Sequence, residues 1–210
     1  MEIDFALFLL LQIVQIILLL AIASILLLLV YRKIVRPKSG AFKTLIVLGS
    51  GGHTTEMLSI ASSLPAPLID DATFLIASTD RMSEIKLRQK FPGAMVKKTP
   101  RAREVKQSWI TSVYTTLIAS FHAMWFVFMI QPDLVLCNGP GTCVPIAYSA
   151  FLFRFFLMQR SKIIFAESIA RVKSLSLSGK LLYPIADEFV VQWQELIEKA
   201  PRARYVGFLI

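Results

Sequence analysis

A chain of 210 residues with 55% apolar side chains has a globular composition and, once its apolar N-terminus is set aside, enough length for one full domain but not for two. Twenty-three lysines and arginines against fourteen acidic residues leave a net charge of +9, with no nucleic-acid-binding motif to go with it. The charge therefore points away from nucleic acid, and the two cysteines exclude a disulfide scaffold.

The N-terminus is uncharged and apolar from Phe5 through Val30, and Arg32, Lys33, Arg36 and Lys38 follow it. As a helix this stretch is about 39 Å long, more than the roughly 30 Å a bilayer core requires. Glu2 and Asp4 stand on its other side, so the positive-inside rule puts the N-terminus outside or in a lumen and the rest in the cytosol. A cleaved signal peptide ending at Ala21-Ile22-Ala23 is the rival. The run exceeds the roughly 7–15 residues of a signal core, lacks a basic N-region and continues through Ile25 to Val30. The organisation expected is an anchor over 5–31, a basic linker over 32–42 and a globular domain over 43–210.

In the domain, short apolar runs alternate with helical segments. Strands are expected at 44–48, 73–78, 94–99, 134–137, 162–166, 188–191 and 203–206. Helices are expected at 54–64, 82–90, 109–130, 142–158, from about 178, and at 195–199. Strands apolar throughout and separated by helices imply a doubly wound parallel α/β sheet that binds ligands at the carboxyl ends of its strands. The helix at 109–130 is long enough to be a second span, but its serines, threonines, Tyr114 and His122 favour a buried or membrane-resting helix. Between Arg81 and Lys106, nine basic residues face only Glu84 and Glu104, a net +7. That segment is either a solvated face or a surface for anionic headgroups or a phosphorylated lipid. Cys137 and Cys143 read as buried small apolar residues rather than as a disulfide or zinc site.

Two loops carry the chemistry. The first strand runs into Gly49-Ser50-Gly51-Gly52-His53-Thr54 and a helix, where glycines allow close approach and free N–H groups attract phosphate. The run matches neither the dinucleotide fingerprint nor a Walker loop, so a nicotinamide enzyme or an NTPase is disfavoured. His53 suits a proton acceptor or a diphosphate contact. Glu56 could orient it or cap the helix start. The fourth strand runs into Asn138-Gly139-Pro140-Gly141-Thr142, a second glycine loop on the same sheet edge. Glu167 and Ser168 at the end of the fifth strand would point into the same crevice, with Arg171 close behind; alternatively Glu167 and Arg171 form a helix-spaced surface ion pair.

These segments, with Leu175 to Lys180 and Asp187 to Trp193, resemble one family over roughly residues 43 to 210. It is the Alg14-like membrane-anchor subunits of the two-part UDP-N-acetylglucosamine transferases of dolichol-linked oligosaccharide synthesis. Gln194 departs from that family's usual proline after Gln-Trp, which touches a helix start only. The resemblance implies a GT-B glycosyltransferase split over two chains, with this chain as the N-terminal, acceptor-side half. A soluble Alg13-like subunit would bind UDP-GlcNAc. The complex would add the second GlcNAc, by a β-1,4 bond, to GlcNAc-diphosphodolichol on the cytosolic face of the endoplasmic reticulum.

On this resemblance, His53 is base or diphosphate contact and Glu167 the alternative base. Ser50, Gly51, Gly52, Thr54, Asn138, Gly139, Gly141, Ser168 and Arg171 would surround the acceptor diphosphate. No cofactor is expected, and no metal, because the sequence has no Asp-x-Asp. Tyr205, Phe208, Leu209 and Ile210 form an apolar segment expected to dock on the partner. The competing classes are a membrane recruiter without catalytic residues, a bacterial-type subunit acting on a polyprenyl-diphosphate acceptor, and a self-contained hydrolase. The last is disfavoured by the lack of G-x-S-x-G.

Overall fold

The computed structural model describes residues 15, 18–20, 22–26, 42–102, 109–156 and 161–209, and Met1–Gly40 and Ala41–Ile210 form separate compact units. The anchor expected at 5–31 and the linker at 32–42 lie largely outside the described residues. Residues 18–20 and 22–26 are helical, with Leu18, Leu19, Leu20, Ile22, Ile25 and Leu26 all exposed. Ser24 donates its hydroxyl to Leu20 O at 2.7 Å, which satisfies the hydroxyl within the helix. Among the described residues no helix is long and apolar enough to cross a membrane.

The second unit is built on a seven-stranded, wholly parallel sheet. Its elements are β1 (Thr44–Val47), α1 (Gly52–Ser62), α2 (Ala66–Ile69), β2 (Thr73–Ala77), α3 (Arg81–Lys90), β3 (Met95–Thr99), α4 (Trp109–Ile130), β4 (Leu134–Cys137), α5 (Cys143–Phe156), β5 (Lys162–Ala166), α6 (Leu177–Leu182), β6 (Glu188–Val191), a 3₁₀ turn (Gln194–Leu196) and β7 (Arg204–Tyr205). The spatial order is β3-β2-β1-β4-β5-β6-β7, so the direction of winding reverses between β1 and β4.

Side-chain alternation explains the two covered faces. Leu45 and Val47 of β1 point into one core cluster with Val135, Ile163, Ala123, Val127 and Ile146, which α4 and α5 cover. Ile46 and Leu48 point the other way, to Met57, Leu58, Ala61, Phe74, Ile76 and Leu87 under α1 and α3. The inner strands β1, β2 and β4 are buried at every position, as strands covered on both faces must be. β3 lies at one edge and exposes Lys97 and Lys98, charges that keep an edge from pairing with another chain.

The expected doubly wound α/β sheet is present with all seven strands and the principal helices. Two details differ. Pro65 initiates the short helix α2, which was not expected, and the helix expected at 195–199 is a single 3₁₀ turn. Helix α4 is neither fully buried nor a plain surface helix. Ser112, Ala119, Ala123 and Val127 are buried on one side, where small side chains let α5 approach. On the other side Tyr114, Leu117, Phe121 and Trp125 are 68%, 55%, 72% and 62% exposed, and no charged residue interrupts the helix.

Candidate functional site

The carboxyl ends of β1 and β4 flank the reversal of strand order, the position at which open parallel sheets bind ligands. The two glycine loops meet there. Between them lies a cavity of about 130 Å³ lined by Gly49, Ser50, His53, Pro140, Gly141 and Thr142, and by Asp80 and Arg101 from the far side. That is well below the roughly 300–1,000 Å³ of a whole small-molecule pocket, so it fits one charged group of a larger ligand.

His53 is held in a slot with little freedom. Gly139 has φ +57°, and a Cβ there would stand 2.2 Å from His53 Cε1; a Cβ on Gly49 would stand 2.8 Å from both His53 Cβ and Pro140. Helix α1 begins at Gly52, with Gly51 (φ +64°) at its cap and no side chain bonded to its first N–H groups. Gly51, Gly52 and Gly141 have open space where a Cβ would be. Of these three only Gly141 lines the cavity, while Gly49, Ser50 and His53 bring backbone and the first turn of α1 to it, which suits an anion.

Behind the imidazole lies a buried carboxylate. Glu56 Oε1 accepts from Ser168 Oγ at 2.8 Å and from Ile169 N at 3.1 Å. Glu56 Oε2 accepts from Asn138 Nδ2 at 3.3 Å and lies 3.6 Å from His53 Nδ1. The last distance is an ion-pair spacing rather than a hydrogen bond, and His53 Nδ1 is buried without a hydrogen-bond partner. Burial by itself would raise the Glu56 pKa, but His53, Ser168 and the Ile169 N–H together outweigh it and hold the carboxyl below its usual value. Glu56 thus ties together the loops after β1, β4 and β5.

Several residues expected around a ligand turn inward instead. Thr54 is fully buried; its hydroxyl donates to Gly49 O and is 2.6 Å from Ser83 Oγ, so it closes the turn rather than facing the cavity. Asn138 Nδ2 also donates to His53 O at 2.9 Å, which makes Asn138 a brace between loops. Ser168 is occupied by Glu56.

Glu167 does not enter the crevice with His53. It is fully buried, its carboxylate accepting from Ser176 N at 2.8 Å and Ser176 Oγ at 3.1 Å, and Gly179 packs so closely that a Cβ there would be 2.3 Å from Oε2. Arg171 is exposed and pairs with neither Glu167 nor the cavity; its N–H donates to Ser168 O. The expected crevice role and the expected ion pair of Glu167 are both replaced by a loop brace.

Asp80 and Arg101 were not singled out as site residues, although each left a trace in the sequence. Asp80 precedes a charged helix and caps it by accepting from Ser83 N, while Arg101 belongs to the basic run. At least three of its nine basic residues are engaged locally. Lys98 pairs with Glu84 at 2.9 Å, Lys86 donates to Thr55 and Arg88 to Ala94 O. The two cysteines are free and fully buried; Cys143 beside it, together with burial, pushes the Cys137 thiol well up. Among the described residues no cluster of three or more histidine, cysteine or acidic side chains is placed to hold a metal ion.

The C-terminal segment folds back on its own domain. Tyr205 and Phe208 are exposed, but the Phe208 and Trp193 rings form a T-shaped pair with centroids 5.2 Å apart, and Leu209 N donates to Gln192 Oε1 at 3.0 Å. Ile210 lies outside the described residues.

Comparison with known proteins bears on the fold and the family. Among solved structures, MurG of Acinetobacter baumannii superimposes with a TM-score of 0.56 at 16% identity, over 73% of this chain. A UDP-N-acetylglucosamine 2-epimerase does so at 0.59 and 16%, over 76%. The chain spans 42% and 44% of those two proteins, and the likeness is one of fold: a Rossmann-like sheet of the kind found in GT-B proteins. In sequence it is 43% identical to the mouse UDP-N-acetylglucosamine transferase subunit ALG14, over 81% of this chain and 84% of that protein. The fission yeast subunit of the same name is 46% identical, over 79% of this chain and 82% of its own length. The family model described as oligosaccharide biosynthesis protein Alg14-like matches residues 44–209, and the chain belongs to that family.

Proposed function

We propose that this chain is the membrane-anchored, acceptor-binding subunit of a heteromeric UDP-GlcNAc transferase. It would act on GlcNAc-diphosphodolichol at the cytosolic face of the endoplasmic reticulum, as the N-terminal half of a split GT-B enzyme. The observation that carries the reading is the meeting of two glycine loops around His53 in a cavity sized for a phosphate group, at the switch point of the sheet. The relatives' names, each a transferase subunit, support a partner that supplies the UDP-GlcNAc site. The anchor expected at 5–31 and the exposed apolar face of α4 support a lipid-borne acceptor, because a helix of this kind can rest at a bilayer surface.

In this reading the acceptor diphosphate lies against the N–H groups of Gly51, Gly52 and Gly141. The acceptor hydroxyl oxygen forms the bond to C1 of the donor sugar while the C1–O bond to UDP breaks and UDP leaves with the electron pair. The hydroxyl proton passes to His53 Nε2, since Nδ1 faces Glu56. Glu167, enclosed by Ser176 and Gly179, is not placed for that task. The test is sugar transfer by the reconstituted pair with His53→Ala. Loss of transfer with intact complex supports a subunit that takes part in catalysis; full activity would make the chain a recruiter.

A further inference from the structure

Gln192 and Trp193 bridge two segments that the functional reading treats separately. Gln192, 2% exposed, accepts from Leu209 N and donates to Glu167 O at 3.1 Å. Trp193 makes a T-shaped contact with Phe208 and donates its indole N–H to Ile169 O at 2.6 Å. On its other side, the same peptide segment gives Ile169 N to Glu56 Oε1, and Glu56 Oε2 faces His53. Two parallel connections therefore run from the C-terminal segment to the end of β5, and one carboxylate continues them to the imidazole.

These contacts have a consequence for a protein whose tail meets a partner. Phe208 is 59% exposed and its neighbour Gly207 has φ +73°, so the segment packs only partly on its own domain. A partner covering Phe208 would press it onto Trp193, and the indole would in turn fix Ile169. Resting on the partner-docking reading above, we propose that Trp193 and Glu56 are positioning residues that couple docking at the C-terminal segment to the placement of His53.

The experiment uses the full chain with its UDP-GlcNAc-binding partner, in wild-type form and as Trp193→Phe, Glu56→Gln and the double variant. Phenylalanine keeps an aromatic ring against Phe208 and removes the indole N–H, together with part of the ring volume. Sugar transfer from UDP-GlcNAc to a short-chain GlcNAc-diphosphoprenol and partner affinity are measured separately. Trp193→Phe should lower kcat roughly 3- to 30-fold, the range typical of coupling residues. Partner affinity and the KM for UDP-GlcNAc should stay unchanged. The double variant should lose no more than Glu56→Gln alone, since both cut one connection. Losses that multiply, or an effect on partner affinity with kcat intact, would overturn the proposal.

Hydrogen exchange supplies a readout independent of activity. Adding the partner to the wild-type chain should slow exchange at residues 167–173 and 49–56, and in Trp193→Phe only near 204–209. Protection confined to 204–209 in the wild type would overturn the coupling. Wild-type protection reaching 49–56 without sugar transfer would support the coupling and count against the functional reading instead.

Discussion

Gly139 stands against the His53 imidazole with φ +57°, leaving 2.2 Å between His53 Cε1 and the place of any Cβ. The conformation and the contact select glycine together, so the second loop positions the side chain offered by the first. Gly139→Ala must therefore move the ring. A shift of about 1 Å in a reacting group costs on the order of 100-fold in rate, and kcat should fall by that order while the complex with the partner remains intact. Wild-type kcat in Gly139→Ala would show that the imidazole position is immaterial.

Glu167 offers a contrasting case. Its carboxylate accepts the N–H and hydroxyl of Ser176, and Ser176 Oγ also accepts from Gly179 N at 2.9 Å. Glu167→Gln keeps the shape but weakens a buried, charge-assisted acceptor, a loss of about 1–3 kcal/mol in stability. The thermal midpoint should drop, and activity measured well below that midpoint should stay within about 3-fold of wild type, less than the roughly 100-fold that removal of a general base costs. A larger fall in kcat at unchanged stability would return Glu167 to the reaction.

Sequence pattern revealed more of the sheet than of the site, and the reason is physical. Strands such as Thr44–Val47 and Leu134–Cys137 are apolar at every position because both faces are covered, and flanking glycines end them. The glycine loops were legible because backbone curvature restricts residue type. Side-chain direction was not. Thr54, Asn138, Ser168 and Glu167 sit beside the crevice in sequence, yet each satisfies a buried partner across a loop, and those partners are up to 112 residues away. Glu56 showed the reverse. It is one helical turn from His53, a visible spacing, but its bonds to Ser168 and Ile169 lie 112 and 113 residues along the chain.

Because the Glu56 pKa is lowered in the folded state, the ionised carboxylate stabilises the fold at neutral pH. That contribution is complete above the unfolded value of about 4.3 and is lost as pH falls through the lower, folded value. Thermal midpoints of wild type and Glu56→Gln should differ most near pH 7 and draw together as the pH falls below the unfolded value of about 4.3. A difference that persists unchanged at pH 3 would mean that shape, not charge, accounts for the effect.

On α4 the exposed row of Tyr114, Leu117, Phe121 and Trp125 leaves an uncharged apolar surface. Replacing Phe121 and Trp125 with glutamate removes apolar contact without touching the buried Ala119, Ala123 and Val127. Binding of the 41–210 region to vesicles containing anionic lipid should weaken by at least about 10-fold, since each large aromatic contributes roughly 1.5–3 kcal/mol when buried. Circular dichroism should be unchanged. Equal binding by the double variant would assign this face to a protein partner.

The most direct measurement of the central claim is transfer of labelled GlcNAc from UDP-GlcNAc to a short-chain GlcNAc-diphosphoprenol, by this chain alone, by its partner alone, by both, and by both with His53→Ala. The account predicts transfer only from the wild-type pair and a loss of about 100-fold or more with His53→Ala. Transfer by this chain alone, or full activity of the pair with His53→Ala, would contradict it.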